Sequence, residues 1–587
     1  MIRFDLRAQQ KIAWGLLILV MVVYAVEMSH HAILRYDTFE AGAFDLGNMD
    51  QVLWNTIHGR FFQFTNQAID WYGPPTRLAI HFEPIILPLS LLYAFHADPR
   101  ILLVFQTLAL MSGALPVFLL TRKYLPEWPI FAVLMAAAYL LSPALLGLNI
   151  FDFHPVSLAT PLLLYAILAL TYKHYVWFLV ACVLACMCKE DIPLTVALSG
   201  ILLIWKYKLP RLGATLIIGG LLWSFLAFKV IIPHFYPGIQ ANNYWYRYEA
   251  LGSSPGAAVA NLLLHPWLLF TTFFTMDRFF YLVNLVRSVG FLPLLAPEWL
   301  LPALPSLAVN LLSADPVLYS GVYHYNAAII PFIMLAAIHG ARRLILIWQV
   351  WRHEQPTFTQ KRNANRNMVG AGLAPALDPL APAALPTNTK SLYSLHTTIP
   401  FLNTQSIATL LTLPNRLLGS WRPRLIRLTL PAWRREQWQR FSERMMPIAK
   451  KLSIFHLQWI LIACIMWMIG LNYLIAVPQL NSFWADHEPG GREQHIQRLL
   501  ALIPPDASVS AGTNLNPHLS ERQLLAVFPS VCLDAACNQT VQYVVVDLNS
   551  LTVENRAEAT SELNGLSKLF RIVARAEGVI LLERRSI

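Results

Sequence analysis

Long apolar runs separated by short polar loops constrain this chain more than any other feature. The first run covers residues 12–28 and the last covers 453–476. Further membrane-spanning helices are predicted from the same pattern at 101–121, 129–147, 156–172, 176–188, 193–207, 212–232, 279–296, 297–312 and 326–350. Only 13% of the residues are charged, whereas soluble domains contain about 25%. The sequence therefore predicts an all-α polytopic membrane protein with about 11 transmembrane helices.

Basic residues beside the apolar runs set the predicted orientation of the chain. Three of them precede the first run, which places the N-terminus in the cytoplasm and residues 29–80 outside as a large first outer loop. The run 85–95 is too short to cross and is interpreted as interfacial or re-entrant. The Pro-rich segment 351–452 carries 15 Arg or Lys against four acidic residues. It is predicted to be a cytoplasmic insertion that contacts membrane lipids, and no nucleic-acid partner is expected.

The composition becomes that of a soluble domain after the last run. With about 11 spans, residues 477–587 are placed outside the cytoplasm as a small α/β domain. A helix is predicted at 492–502, and strands are predicted at 507–511, 541–548 and 579–583. No glycine-rich phosphate loop follows the second strand, so nucleotide binding is not predicted. Cys532 and Cys537 would form either a short-loop disulfide or two free thiols.

One stretch of the first outer loop, 43–65 (AFDLGNMDQVLWNTIHGRFFQFT), combines a helical pattern with two acidic residues. It predicts a short helix over 46–58, with Asp45 as the N-cap and Gly59 ending the helix. Asp50 falls on the apolar face of that helix, where an unpaired carboxylate is costly. It therefore needs a partner, which would be a cation, a metal ion or a substrate hydroxyl.

Acidic, basic and His residues collect in loops that are predicted to share the outer face. They are Asp45 and Asp50, His81 and Glu83 in HFEP, Asp152 and His154 in FDFHP, Lys189, Glu190 and Asp191 in CKED, Arg247, and Tyr323, His324 and Tyr325 in YHY. Ionisable groups at membrane depth usually face a cavity and one another, so together they form a candidate site. A carboxylate at low dielectric suits a general base, and Lys189 or Arg247 would hold a phosphate.

Several of these residues also have a structural explanation. Asp45 would serve only as a helix cap, and Asp50 would pair with Arg35 or Lys189. The tyrosines of YHY would anchor the chain at the membrane interface. A divalent metal, Mg or Mn, also stays open, and its candidate ligands would be Asp45, Asp50, His81 and Glu83.

Several of these motifs together resemble a known family. FDLGNMDQVLW, HFEP, FDFHP, CKED, FLPLLAPEWLLPALPSLAVNLLS and YHYNAAIIPF are similar to the membrane proteins of domain of unknown function 2079. That family is similar in layout to the GT-C superfamily of integral membrane glycosyltransferases. The resemblance implies an enzyme of the bacterial plasma membrane that moves a hexosyl or pentosyl group. The donor would be a polyprenyl-phosphate-linked sugar, and the acceptor an extracytoplasmic lipid, glycan or protein.

The same resemblance implies an acidic catalytic residue in the first outer loop, which would be Asp45 or Asp50. Two other classes of function stay open. A transporter or lipid flippase would show internal repeats and interrupted helices near the membrane midplane, and no convincing repeat is present. A non-catalytic membrane assembly protein would instead bind a partner through the domain at 477–587.

Overall fold

The structure, a computed structural model, describes residues 6–66, 76–236, 244–268, 274–353, 454–481, 483–485, 487–532 and 540–585. The chain divides into one unit formed by 1–346 with 455–587 and a second unit formed by 347–454. Of the predicted basic insertion 351–452, the structure describes only residues 351–353, which are helical. Cys537, which would form either a disulfide with Cys532 or a free thiol, lies outside them as well.

Helices make up most of the described chain. In order they are α1 (Leu6–Asp37), α2 (Asn48–Ile57), α3 (Ile86–Tyr93), α4 (Pro99–Ser112), α5 (Ala114–Tyr124), α6 (Pro129–Leu140), α7 (Pro143–Ile150), α8 (Ala159–Thr171), α9 (Tyr175–Cys186), α10 (Ile192–Trp205), α11 (Pro210–Leu226), α12 (Ile232–Phe235), α13 (Pro255–Leu264), α14 (Met276–Arg287), α15 (Leu304–Leu311), α16 (Ile330–His353), α17 (Ile454–Leu480), α18 (Gly491–Leu500) and α19 (Val553–Gly565). Within the described ranges, five helical stretches are long and apolar enough to cross a membrane: α1, α4 with α5, α11 with α12, α16 and α17. The bent pair α6 and α7 would make a sixth.

Six predicted spans differ from the structure. Those at 156–172, 176–188 and 193–207 are present as helices α8, α9 and α10, which have only 12 to 14 residues, whereas a span requires about 20. Proline explains the other three differences. The segment predicted at 129–147 bends by 47° between α6 and α7, where Pro143 begins the second helix. The spans predicted at 279–296 and 297–312 are not continuous helices. Helix α14 ends at Arg287, and short 3₁₀ turns containing three prolines lead to α15. Proline cannot donate the backbone hydrogen bond that an α-helix interior requires.

Helices α10 and α11 pack closely because glycines face each other across their contact. A Cβ added to Gly213 would lie 2.6 Å from the carbonyl oxygen of Gly200, so neither position has room for a larger side chain. Small residues let two membrane helices approach backbone to backbone. At the start of α10, a Cβ added to Gly220 would likewise lie 2.4 Å from the carbonyl oxygen of Pro193, and this end of the helix directly follows the predicted site residues Lys189, Glu190 and Asp191.

The C-terminal α/β domain contains a five-stranded sheet. Its strands are β1 (Val509–Ala511), β2 (Leu525–Val527), β3 (Tyr543–Asp547), β4 (Phe570–Ala576) and β5 (Val579–Arg584), in the order β2-β1-β3-β5-β4. Strand β1 pairs in parallel with β2 and β3, whereas β5 pairs antiparallel with β3 and β4. The predicted helix and the three predicted strands are confirmed. Strands β2 and β4 were not predicted. Strand β2 has only three residues, and β4 is mostly exposed, so neither shows the alternation of a half-buried strand.

The first loop departs from the sequence prediction at one residue. The helix is present as α2, and Gly59 ends it with a φ of +79° as predicted. Asp45 is not its N-cap. It lies inside a π-helical turn, Ala43–Gly47, that continues into α2 and begins after Gly42. Because Asp45 is within the turn and caps nothing, its side chain is available for other contacts.

Candidate active-site cavity

A cavity of about 600 Å³ lies among the loops that carry most of the predicted site residues. The predicted residues that line it are Asp45, His81, Glu83, His154, Lys189, Glu190, Asp191, Arg247, His324 and Tyr325. Its other wall is apolar and includes Ile192, Phe228, Ile232, Val259, Leu262, Val309 and Leu312. The cavity can therefore accommodate a ligand with a polar and an apolar part.

Three predicted site residues do not line the cavity. Asp50 is fully buried, and it is hydrogen-bonded by Tyr93 and by Ser520 of the C-terminal domain, at 2.5 Å from the serine. Tyr323 packs edge-to-face against aromatic rings at 4.8 and 5.2 Å. Asp152 does not line the cavity but contacts Gly42, at the start of the turn that carries Asp45.

Asp152 fixes the start of the turn that carries Asp45. Its Oδ2 accepts a hydrogen bond from the Gly42 N–H at 2.8 Å, and its Oδ1 lies 3.5 Å from Nε of Arg35. Asp152 is only 2% exposed, and burial raises its pKa against the opposing effect of Arg35. The FDFHP motif therefore supplies one residue that holds the turn and a second, His154, that reaches Asp45.

Asp45 and His154 form a direct pair at the edge of the cavity. Oδ1 of Asp45 lies 2.9 Å from Nε2 of His154, and Nδ1 of the same ring lies 3.2 Å from the Asp152 carbonyl oxygen. The ring of His324 stacks on His154 at 4.0 Å between centroids. Burial raises the pKa of Asp45, but the effect of His154, helped by Arg77, outweighs it and the net pKa is lowered. Asp45 is therefore held in the ionised form.

The HFEP loop is held by two buried ion pairs. Glu83 accepts a hydrogen bond from Nε of Arg77 at 2.7 Å, and Nδ1 of His81 lies 2.8 Å from Oε1 of Glu190. The other oxygen of Glu190 accepts the Phe82 N–H at 3.1 Å. Burial would raise the pKa of Glu190, but His81 lowers it to about 2. Glu190 is therefore ionised, and both acids are already occupied by protein partners.

Arg247 has an ion-pair partner, whereas the Lys189 ammonium and one oxygen of Asp191 have no partner among the described residues. Arg247 lies 3.2 Å from Asp315 and over the ring of Tyr244. Lys189 lines the cavity and has neither a hydrogen bond nor an ion pair within 4.0 Å among the described residues. Burial would lower the pKa of Lys189, but Asp191 and Glu190 raise it, so it stays charged. The Oδ1 atom of Asp191 is buried and accepts no hydrogen bond within the described chain.

The predicted metal ligands do not come together. In the parts of the chain that the structure describes, no group of three His, Cys, Asp or Glu side chains could hold a metal ion. Asp50 is outside the cavity, and Glu83 and His81 are bound to Arg77 and Glu190. The residues present therefore do not fit a divalent cation.

Sequence reasoning missed Arg77, which lines the cavity and contacts Glu83. A lone arginine in a polar loop gives no periodic or motif signal, although it lies six residues before Glu83. Phe44 was also missed, because aromatic residues are common at membrane interfaces.

The fold and the cavity define a polytopic membrane protein with a polar site beside an apolar wall. The chain belongs to the family of predicted membrane proteins DUF2079, whose model matches residues 35–360 and 426–581. No curated protein matches its sequence. Among solved structures it is similar to ArnT from Cupriavidus metallidurans bound to undecaprenyl phosphate, at 13% identity and a TM-score of 0.42, over 96% of this chain and 97% of that one. The apo form of that ArnT gives 11% identity and a TM-score of 0.41 over the same shares. A likeness at this level establishes neither a shared substrate nor a shared site.

Proposed function

We propose that the protein is a GT-C-type glycosyltransferase. It moves a sugar from a polyprenyl-phosphate-linked donor to a hydroxyl of an acceptor outside the cytoplasm. The observation that carries this proposal is that one cavity contains the ionised carboxylate of Asp45, apolar lining residues and the ammonium of Lys189, which has no hydrogen-bond or ion-pair partner among the described residues. A cytoplasmic N-terminus and an extracytoplasmic C-terminal domain, as the basic residues beside the apolar runs predict, are parts of the same proposal.

Asp45 would act as the general base. As the bond from the acceptor oxygen to the anomeric carbon forms, the acceptor proton passes to the Asp45 carboxylate. His154 holds that carboxylate through its Oδ1 and leaves Oδ2 free for the acceptor hydroxyl. The pairing keeps the base ionised and oriented before the substrate binds.

Lys189 would stabilise the phosphate that departs with the electron pair of the broken bond. An ammonium without a protein partner can meet that negative charge without first losing an ion pair. Arg247, already shared with Asp315, would make a second and weaker contact. The unpartnered Oδ1 of Asp191 would accept a hydrogen bond from a sugar hydroxyl.

The decisive experiment compares Asp45→Asn with Asp50→Asn in the purified protein. Polyprenyl-phosphate-linked hexoses and pentoses are supplied with extracted envelope acceptors, and release of polyprenyl phosphate is measured. Loss of a general base costs about 100- to 10,000-fold in rate, so Asp45→Asn should lose that much. Asp50→Asn is the matched control because Asp50 does not line the cavity. Equal turnover in wild type and Asp45→Asn would refute the assignment of the base, and lipid movement without phosphate release would favour a flippase.

A further inference from the structure

The C-terminal domain contacts the turn that carries Asp45 through a buried pair of amides. Nδ2 of Asn66 donates to Oδ1 of Asn516 at 2.6 Å, and Nδ2 of Asn516 donates to Oδ1 of Asn66 at 2.7 Å. Both side chains are completely buried. Two reciprocal hydrogen bonds fix both the distance between the amides and the orientation of their planes.

The same pair contacts the Asp45 turn on both sides of the aspartate. Nδ2 of Asn66 also donates to the carbonyl oxygen of Ala43 at 3.0 Å, two residues before Asp45. Two residues after it, Gly47 lies so close that an added Cβ would be 2.5 Å from Oδ1 of Asn516. The amide pair therefore touches the first and the last residue of the five-residue turn.

Besides its own backbone hydrogen bonds, such as that from the Gly47 N–H to the Gly42 carbonyl oxygen at 3.1 Å, the turn is held by contacts from outside itself. It is a π-helical turn, a geometry that is rare and occurs frequently at functional sites. Gly42 precedes it and provides no side-chain cap. Its backbone is held by Asp152 at Gly42 and by Asn66 at Ala43.

Asn66 is itself held against the C-terminal domain. Oε1 of Gln51 accepts the backbone N–H groups of Thr65 and Asn66 at 2.9 and 3.1 Å. The hydroxyl of Thr65 bonds both the N–H and the carbonyl oxygen of Leu525 in strand β2, each at 2.8 Å. The connection from the domain to the turn is thus a continuous series of buried or part-buried hydrogen bonds.

We propose that Asn516 is a positioning residue for Asp45, acting through Asn66 and the Ala43–Gly47 turn. The C-terminal domain is then part of the active site and not a separate binding module. The inference rests on the proposed function only for the role of Asp45 as the base. The mechanical connection between Asn516 and the turn can be tested without any substrate.

The test uses the full chain in detergent with three variants: Asn516→Ala, Asn66→Ala and their double substitution. Asn514→Ala is the matched control, because Asn514 bonds Asp547 within the C-terminal domain at 3.2 Å. The first measurement is amide hydrogen exchange of residues 43–57. Exchange should rise at least tenfold in each of the three variants and stay at the wild-type rate in the control.

The second measurement is turnover and donor binding in the same proteins. The rate should fall about tenfold or more in Asn516→Ala while the donor Kd changes less than twofold, because Asn516 does not line the cavity. The double variant should be no slower than the slower single one, since both remove the same connection. Where alanine prevents folding, Asn516→Asp keeps the side-chain shape but places an oxygen against Oδ1 of Asn66 and should give the same exchange result.

The outcomes separate the two proposals. One outcome is faster exchange in the variants of a protein whose wild type turns over no donor. It supports the connection and counts against the glycosyltransferase. Unchanged exchange at residues 43–57 in Asn516→Ala refutes the positioning role, whatever the wild-type activity. A loss of donor binding equal to the loss of rate would also refute it, because a positioning residue acts on the reacting step.

Discussion

Asp45 and His154 are 109 residues apart in the chain, yet Oδ1 of the first lies 2.9 Å from Nε2 of the second. The pairing joins the first loop to the FDFHP motif. His154 is mostly buried, whereas the Asp45 side chain is 32% exposed toward the cavity. The imidazole therefore holds one oxygen of Asp45 while part of the carboxylate stays exposed.

Replacing His154 should move the pH dependence of turnover. His154 lowers the pKa of Asp45, so His154→Asn should raise that pKa. Because a general base works only when ionised, activity is lost as pH falls through its pKa. The acidic limb of the pH–rate profile should therefore shift to higher pH in the variant. Profiles of kcat/KM between pH 4 and 9 measure this shift, and a shift toward lower pH would contradict the pairing.

Removing the Lys189 charge should weaken binding of the donor. A hydrogen bond to a charged group contributes about 1.5–3 kcal/mol, which corresponds to roughly 10- to 150-fold in Kd. Lys189→Gln should lose affinity within this range, and Lys189→Arg should recover part of it. Lys206→Gln is the control, because Lys206 pairs with Glu298 at 3.3 Å and does not line the cavity. Titration of a polyprenyl-phosphate-linked sugar against each protein checks the expectation.

Breaking the Arg77–Glu83 pair should destabilise the protein. The two side chains are 9% and 4% exposed, so Glu83→Gln leaves a buried guanidinium without its countercharge. Such a change typically costs about 3–5 kcal/mol. The double variant Arg77→Met with Glu83→Leu should recover most of this free energy, because it removes both charges. Denaturant unfolding in detergent measures all three proteins, and a double variant less stable than Glu83→Gln would argue against the pair as the cause.

Asp50 should be protonated in the folded protein. Burial, with a smaller effect of Glu521, raises its pKa well above the usual range. Ser520 Oγ has one hydrogen but lies within bonding distance of both Asp50 Oδ2 (2.5 Å) and the Pro517 carbonyl oxygen (2.9 Å). A protonated Asp50 donates to that hydroxyl, which then donates to Pro517, and both contacts are satisfied.

The consequence of a protonated Asp50 is a defined change of stability with pH. A raised folded-state pKa costs stability once the pH exceeds the unfolded value of about 3.9, and the cost grows until the folded pKa is reached. Asp50→Asn removes this cost. The variant should gain thermal stability relative to wild type as the pH rises from 5 to 8. A gap that stays constant over this interval would mean that Asp50 is already ionised in the fold.

The sequence alone predicts that the loops preceding several helices lie close together at one end of the helix bundle. His81 and Glu83 precede α3, and Lys189 to Asp191 precede α10, so a shared orientation placed these residues near one another. The pattern also ended α2 at Gly59, because a residue with positive φ leaves a clear local signal.

The contacts that decide the role of each acid could not be predicted. Asp50 looked like a catalytic candidate because it interrupts an apolar face, but its partner Ser520 is 470 residues away. The neighbouring sequence does not distinguish a carboxylate that faces a cavity from one that contacts a distant domain. Arg77 was overlooked for a related reason, since its buried partner is visible only in three dimensions.

The amide pair of Asn66 and Asn516 can form only late in the synthesis of the protein. Asn66 leaves the ribosome early, but its partner follows 450 residues later. Until the C-terminal domain has been synthesised and has folded, the first loop lacks its hydrogen bonds with Asn516. A chain released before residue 516 therefore lacks the amide partner of Asn66, even though the membrane-spanning helices among the described residues have already been made.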